Sequence, residues 1–312
     1  EIPTKVSFVD DRHHFIYNII DREALAIFDP RPRALPVYEF YERRDLRETV
    51  NLASGRSPEL KRFHERLAAY MRHLRRLPGR QQEIDENLKR ETARLNAAYP
   101  GKVLGLHCNV TKAAEVQGMI EKAAEFGGGR VDLLFNNAGA GLGGNFDQQT
   151  NEDWEKAFAL NFYGALYGIR AVLPIMRAQG GGHIVDIISG IAFSPMAQQT
   201  MYAATKAALN GLTLALRYEL WDENIRVSSA SPGTTATAIW MVADGTPPPG
   251  AQPAKQSART ILDGVAKNQR LILGDEADVS GAKTCFHPDA AEGVDAYLLN
   301  VARKRRAGEW VV

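Results

Sequence analysis

The chain has 312 residues, of which 45% are hydrophobic and 24% charged, a composition that excludes a disordered or collagen-like chain. Its 38 Lys and Arg side chains nearly balance 37 Asp and Glu, so the net charge of +1 creates no field that would gather nucleic acid or an anionic membrane surface. The length permits one large domain or two smaller ones, each able to bury a core.

The cysteine and histidine content argues against a disulfide framework and against a metal site. Cys108 and Cys285 have neither CxxC nor His-paired metal spacing, and the seven histidines show no ligand spacing. The apolar runs fall short of the ~20 residues that cross a bilayer, and the start has no signal-peptide pattern. We therefore expect a cytoplasmic protein with no nucleic acid partner, no membrane span and no metal.

Residues 1–83 differ from the rest of the chain because they are rich in Arg and aromatic side chains and poor in Gly. Two short β-type runs, Lys5–Val9 and Phe15–Ile20, are separated by polar residues and predict a hairpin. Ser57 followed by Pro58 predicts a helix start, and apolar residues at helical spacing extend that helix to about residue 76. We expect this N-terminal segment to form an appendage that carries no catalytic group.

Helix and strand patterns alternate from residue 84 to residue 275. The predicted elements are a helix from Ile84 that ends before Pro100, strands Lys102–Leu106 and Val131–Phe135, helix Trp154–Met176, strand His183–Ile188, helix Met201–Trp221, strand Ile225–Ala230, helix Ala258–Lys267 and strand Leu271–Leu273. This alternation favours an α/β fold with a doubly wound, mostly parallel sheet covered on both faces. Residues 276–312 are expected as a C-terminal tail. In such sheets, ligands bind at the carboxyl ends of the strands.

Polar or glycine-containing sequences follow three of the predicted strands. They are Asn136-Asn137-Ala138-Gly139, Ser189 and Ser231-Pro232-Gly233. Tyr202 is the only tyrosine with a lysine four positions on, and this spacing places Lys206 on the same helix face. A nearby cation lowers the pKa of a tyrosine, so we expect Tyr202 to act as a general acid or base. The Ser189 hydroxyl is expected to bond the same substrate oxygen.

Each of these features also has a purely structural interpretation. Tyr202 and Lys206 can be a surface ring beside a solvated amine. Asn136 and Asn137 can simply cap a turn, as Asn often does. Thr237, like the other threonines that follow Gly233, can be an ordinary loop hydroxyl.

Taken together in this order and spacing, these residues resemble the short-chain dehydrogenase/reductase family over residues 84–274. The resemblance implies a Rossmann-type sheet, NAD or NADP as cofactor, a small-molecule alcohol or carbonyl substrate, and hydride transfer between the two. The implied catalytic residues are Asn161, Ser189, Tyr202 and Lys206. The implied cofactor-binding residues are Asn109, Val110, Asn137, Ala138, Gly139, Tyr202, Lys206, Pro232, Gly233 and Thr237.

The resemblance also assigns a role to each part of the site. Asn161 would hold a water of the proton relay, and Lys206 would bind the nicotinamide ribose. Residues 232–237 would meet the carboxamide, and residues 137–139 would line the adenosine side. The predicted helices Trp154–Met176 and Met201–Trp221 form dimer faces in the family, which implies a homo-oligomer.

The chain departs from the family pattern in two places. The family begins with a strand and a Thr-Gly-x-x-x-Gly-x-Gly loop that holds the pyrophosphate at a helix start, and residues 1–101 contain no such pattern. Asn109 stands where the family usually places Asp against the adenine. The first βαβ unit is therefore expected to be missing or replaced by the N-terminal hairpin-plus-helix appendage, with weakened cofactor binding.

Residues 5–76 resemble the C-terminal end of sulfatases. This resemblance rests on Tyr38-Glu39-Phe40-Tyr41, Asp45, Asn51-Leu52-Ala53 and the amphipathic helix that follows. The nucleophile and metal carboxylates of sulfatases are absent from the sequence, so no sulfatase activity is implied. Two alternatives to an active oxidoreductase stay open: a non-catalytic remnant or fusion that acts as an interaction module, and a join of two separate genes.

Overall fold

The computed structural model describes residues 4–9, 14–19, 79–237, 239 and 247–307. The helix predicted over residues 58–76 and the residues that resemble sulfatases beyond the hairpin lie outside these ranges. The elements in chain order are β1 (Thr4–Val9), β2 (His14–Ile19), α1 (Gly79–Ala98), β3 (Val103–Leu106), α2 (Ala113–Phe126), β4 (Leu133–Asn136), α3 (Asn151–Phe158), a π turn (Ala159–Tyr163), α4 (Gly164–Ala178), β5 (Gly182–Ile187), α5 (Thr200–Glu219), β6 (Ile225–Ser231), β7 (Thr235–Ala236), β8 (Gln252–Pro253), α6 (Ala254–Ala266), β9 (Leu271–Leu273), α7 (Glu276–Thr284) and α8 (Ala291–Arg306).

Four parallel strands, in the order β4-β5-β6-β9, form the sheet that carries the polar strand ends. Ile184 at its centre is opposite Leu134 on one side and Val227 on the other, and all three side chains are fully buried. Strands buried in this way read as apolar runs because helices cover both faces of the sheet. The predicted Rossmann-type, mostly parallel α/β sheet is confirmed.

The N-terminal hairpin packs between β3 and the first strand of the parallel sheet. β1 and β2 pair antiparallel, and β1 pairs antiparallel with β3, with Lys5 opposite Leu106. β2 lies next to β4, the first strand of the parallel sheet. The hairpin therefore extends the sheet edge at β3 through backbone hydrogen bonds, while its contact with β4 is packing between two separate sheets.

Two parts of the chain are more helical than the sequence predicts. Residues 113–126, for which no element is predicted, form α2, whose buried Val116, Met119, Ile120 and Ala123 have helical spacing. Residues 276–312, expected as a tail, contain α7 and α8. In addition, α1 begins at Gly79, five residues before the predicted helix start at Ile84, and the predicted domain boundary after residue 83 stays a prediction.

The helix that carries Asn161 is longer than predicted. It starts at a capping box in which Thr150 and Asp153 satisfy each other's backbone N–H groups, and it runs through the π turn to Ala178. Among the described residues, Asn151–Ala178 is the one helix long and apolar enough to cross a membrane, and 44% of its most apolar window is buried. It packs against α2, β4 and α5, as a core helix does.

Candidate active site

The carboxyl ends of the parallel strands open into a cavity of about 1100 Å³. Most of the predicted site residues line it: Asn137, Gly139, Ser189, Tyr202, Lys206, Pro232, Gly233 and Thr237. The other predicted residues, Asn109, Val110, Ala138 and Asn161, are not among its lining residues. The structure thus brings together eight residues that are spread over 101 positions in the sequence, from 137 to 237.

Lys206 lies at the base of this cavity and is only 3% exposed. Its Nζ lies 5.9 Å from the centroid of the Tyr202 ring and donates a hydrogen bond to the carbonyl oxygen of Ile187 at 2.8 Å. Burial lowers the pKa of Lys206 to about 8, and the carboxyl group of Asp186 opposes this shift. The ammonium group is therefore directed to the end of β5, beside the Tyr202 ring.

The pKa of Tyr202 is raised above its ordinary value, whereas the sequence predicts that it is lowered. Burial raises the pKa of Tyr202, and the negative charge of Asp278 adds to this effect. A hydrogen bond from Ser189 favours the phenolate and opposes both.

A buried carboxyl group that the sequence analysis missed lies behind this site. Asp186 on β5 is fully buried and accepts hydrogen bonds from Asn136 Nδ2 and from Thr213 Oγ1, both at 2.8 Å. Burial raises its pKa to about 6, and both hydrogen bonds and Lys206 oppose that shift. A single aspartate inside the apolar run of β5 was the available sequence signal, since a buried charge needs partners.

Asn161 acts through the backbone that surrounds the site. Its Oδ1 accepts from the Ala140 N–H at 2.8 Å, and its Nδ2 donates to the Ala140 carbonyl at 3.0 Å and to Thr205 Oγ1 at 3.1 Å. These bonds tie the loop after β4 to the catalytic helix α5. Asn161 lies in the π turn, and such turns are frequent at functional sites.

The segment after β6 is held by side chains outside the predicted site. The Pro232 carbonyl accepts from Gln252 Nε2 and Ser257 Oγ, both at 2.8 Å, and from Thr235 Oγ1 at 3.1 Å. The N–H of Thr234 donates to Asp275 Oδ2 at 2.6 Å. Three donors on one carbonyl fix the loop that borders the cavity, and sequence spacing alone gives no signal for such long-range bonds.

Asn109 and Val110 have local structural roles. Asn109 Oδ1 accepts from the N–H of Thr111 at 2.9 Å and from its Oγ1 at 2.7 Å, which forms a turn after β3. Val110 is fully buried and packs against Gly164, where an added Cβ would lie 3.2 Å from Val110 Cγ2. Their predicted contacts with the adenine stay predictions.

Residues 79–246, just over half of the chain, match the family model described as short chain dehydrogenase. The chain belongs to the short-chain dehydrogenase family. It is 31% identical to an uncharacterized oxidoreductase of Thermotoga maritima over 206 residues, which cover 65% of this chain and 81% of the relative. It is 39% identical to an uncharacterized oxidoreductase of Staphylococcus saprophyticus over 131 residues, or 42% of this chain and 56% of the relative.

Solved structures of short-chain dehydrogenases have the same fold. One is a short chain dehydrogenase/reductase from Burkholderia phymatum in complex with NAD, which is 27% identical and has a TM-score of 0.58. The similarity covers 67% of this chain and 82% of that protein. By contrast, the alignment with the Staphylococcus saprophyticus relative spans little more than half of that protein's length.

Proposed function

We propose that this short-chain dehydrogenase transfers hydride between the nicotinamide of NAD or NADP and a small-molecule alcohol or carbonyl substrate. The observation that carries the proposal is the convergence of Ser189, Tyr202 and Lys206 on one cavity. Two hydroxyl groups and a buried ammonium group at the end of a parallel sheet are suited to moving a proton to or from a substrate oxygen.

The residues present fit the nicotinamide end of such a cofactor. At Gly139, an added Cβ would lie 3.0 Å from Asn161 Oδ1 and 3.1 Å from Lys206 Nζ, so the missing side chain leaves room directly beside the lysine. Lys206 would bind the nicotinamide ribose, and the fixed Pro232–Thr237 segment would meet the carboxamide. When bound, the nicotinamide supplies the hydride donor or acceptor. The NAD complex of the Burkholderia phymatum relative supports this class of cofactor without deciding between NAD and NADP.

The protein's own residues transfer the proton that leaves or joins the substrate oxygen. During alcohol oxidation, Tyr202 accepts the hydroxyl proton of the substrate, and during carbonyl reduction it donates that proton to the substrate oxygen. Ser189 donates a hydrogen bond to the same oxygen and holds it against Tyr202. Burial raises the pKa of Tyr202 and so favours its protonated form, which is the form that acts as the acid in carbonyl reduction. A water held by Asn161 would complete the exchange with solvent.

Conservative substitution of the two hydroxyl residues tests this function. We expect Tyr202→Phe to reduce turnover by ~10²-fold or more, because the variant keeps the ring and loses the proton. Ser189→Ala is expected to reduce turnover with less effect on cofactor binding. Turnover is followed by nicotinamide absorbance, and Tyr218→Phe on the same helix, 63% exposed, is the matched control. A Tyr202→Phe variant with undiminished carbonyl reduction would contradict the mechanism.

One observation favours a second candidate, a non-catalytic interaction module. The described residues contain no Gly-rich loop at a helix start that would hold a pyrophosphate. A module of this kind would use the faces of α4 and α5 for a homo-oligomer, which we also keep as a proposal for the enzyme. Cofactor titration separates the two, since a module needs no nicotinamide. A cytoplasmic location is proposed for both.

A further inference from the structure

The carboxyl end of β5 presents two neighbouring residues to the buried lysine of the site. The carbonyl oxygen of Ile187 accepts a hydrogen bond from Lys206 Nζ at 2.8 Å. The preceding residue, Asp186, has a fully buried side chain. Lys206 is itself only 3% exposed, so water does little to stabilise the charge of either side chain. An acid and a base of opposite charge are thus buried at the same end of one strand.

The hydrogen bonds of Asp186 favour its ionised form. Asn136 Nδ2, on β4, donates to one carboxyl oxygen, and Thr213 Oγ1, on α5, donates to the other, both at 2.8 Å. Burial raises the pKa of this carboxyl group, and both hydrogen bonds and the charge of Lys206 oppose that shift. Donors from two different elements therefore hold the carboxyl group in place and stabilise its negative charge.

Asp186 and Lys206 act on each other through their charges. Among the residues that the structure describes, Asp186 is the charged group that raises the pKa of Lys206, against the larger effect of burial. The phenol of Tyr202 faces the same lysine from α5, with 5.9 Å between Nζ and the ring centroid. The negative charge of Asp278 acts on Tyr202. Asp186 is not among the residues that line the cavity, so any effect that it has on a bound substrate passes through Lys206.

We propose that Asp186 is a positioning residue that keeps Lys206 a cation at the end of β5, beside the Tyr202 ring. The use of that cation in proton transfer rests on the proposed function, whereas the pairing of the two charges does not. A buried ammonium group that loses its counter-charge gives up its proton more readily. The carboxylate thereby widens the range of pH over which Lys206 can assist Tyr202.

Asp186 also joins β4, β5 and α5, and this structural role has to be separated from the role of its charge. Asp186→Asn makes the separation because the amide has the same shape as the carboxylate. Its oxygen can still accept from Asn136. Thr213 Oγ1 lies 2.7 Å from the Leu209 carbonyl oxygen, so it can donate there and accept from the new amide. The substitution therefore removes the charge and retains the hydrogen-bonded partners.

NMR of the chain labelled at lysine Cε measures the titration of Lys206 without any cofactor, and the signal is identified by its loss in Lys206→Ala. We expect the unsubstituted chain to titrate with a pKa of about 8. In Asp186→Asn, the ratio of charged to neutral Lys206 at a given pH should fall by about tenfold, as expected when an opposite charge is removed. Asp263→Asn, on the exposed side of α6, is the matched control and should leave the titration unchanged. A titration that does not move in Asp186→Asn overturns the proposal.

Circular dichroism checks that each variant is folded. If Asp186→Asn does not fold, the unsubstituted chain decides the question, because the Lys206 signal should also respond as Asp186 takes up a proton near a pKa of about 6. A Lys206 signal that does not respond in that range overturns the proposal.

The pH dependence of kcat in the same variants connects the pairing to the proposed function. We expect the alkaline limb of the profile to move to lower pH in Asp186→Asn and to stay in place in Asp263→Asn. Hydride transfer combined with an unmoved Lys206 titration overturns the pairing and leaves the proposed function intact. A Lys206 titration that moves as expected, in a chain that transfers no hydride, supports the pairing and contradicts the proposed function.

Discussion

Burial acts on Tyr202 and Lys206 in opposite directions and disfavours the charged form of each. It raises the pKa of the phenol and lowers that of the ammonium group to about 8. Lys206 therefore loses its charge as the pH rises through about 8, before Tyr202 ionises. Lys206 can assist proton transfer only while it is a cation, so we expect it to increase the rate of proton transfer at pH values below about 8.

Replacing Lys206 with Ala should raise the apparent pKa of the proton-transfer step and weaken cofactor binding. The reason is that the nearest cation to the developing phenolate is lost. The pH dependence of kcat measures the first effect and the cofactor Kd the second. Lys122→Ala on the exposed side of α2 is the control. A pH profile that does not move in Lys206→Ala would show that Lys206 has no electrostatic role in the step.

His183 should make the protein less stable as the pH falls. It accepts or donates one hydrogen bond with Ser228 Oγ at 2.8 Å, and burial lowers its pKa from 6.5 to about 4. The unfolded chain therefore takes up this proton first, so stability is fully present above pH 6.5 and is lost between 6.5 and 4. The loss is at most about 3.5 kcal/mol, since one pKa unit is about 1.4 kcal/mol.

Urea unfolding at pH 7 and pH 5 measures this loss. In His183→Gln the pH dependence should be smaller than in the unsubstituted chain, and in His287→Gln, which changes a half-exposed side chain, it should be unchanged. If the free energy of unfolding depended equally on pH in all three proteins, this would contradict the prediction that His183 causes the loss of stability.

Two glycines in helix interiors should respond oppositely to alanine. In α4, a Cβ at Gly168 would lie 2.4 Å from Asn136 Oδ1, so Gly168→Ala must disturb the bond between Asn136 and Asp186. In α5, a Cβ at Gly211 meets no atom within 4 Å. We expect Gly168→Ala to lower the free energy of unfolding by ~1–3 kcal/mol and Gly211→Ala to raise it by ~1 kcal/mol. Chemical denaturation measures both, and a neutral Gly168→Ala would show that the contact relaxes freely.

Strands and long helices of the α/β domain were predictable because each carries a strong local pattern. β5 carries the apolar residues Ile184, Val185 and Ile187 and α5 has a clear helical period, and both elements lie within two residues of their predicted bounds. α8 was not predicted from the sequence. Only Val301 and Arg305 of this helix are buried, so its sequence lacks the usual separation into an apolar buried face and a polar exposed face. The motif spacing predicted that Ser189, Tyr202 and Lys206 belong to one site. Asp186 and Gln252 could not be predicted in this way, because their hydrogen bonds join segments that are distant in the sequence.

At the scale of the whole molecule, the described residues build only the nicotinamide end of the proposed cofactor site. Residues around Lys206 and the fixed loop after Pro232 form the proposed nicotinamide end, while the hairpin β1–β2 lies between β3 and β4 in a separate sheet. Residues 1–101 contain no Gly-rich loop that would hold the pyrophosphate. We therefore expect that the loss of about two or three charge-assisted hydrogen bonds, each about 1.5–3 kcal/mol, weakens dinucleotide binding by several powers of ten.

Calorimetric titration of the full chain with NAD and with NADP tests this account most directly. We predict saturable binding of at least one dinucleotide with a Kd of the order of millimolar, further weakened in Lys206→Ala. Low-micromolar binding would show that another segment rebuilds the phosphate site, contrary to the account of the missing loop. Binding of neither dinucleotide at any concentration would contradict the central claim that the cavity around Tyr202 and Lys206 is a nicotinamide site.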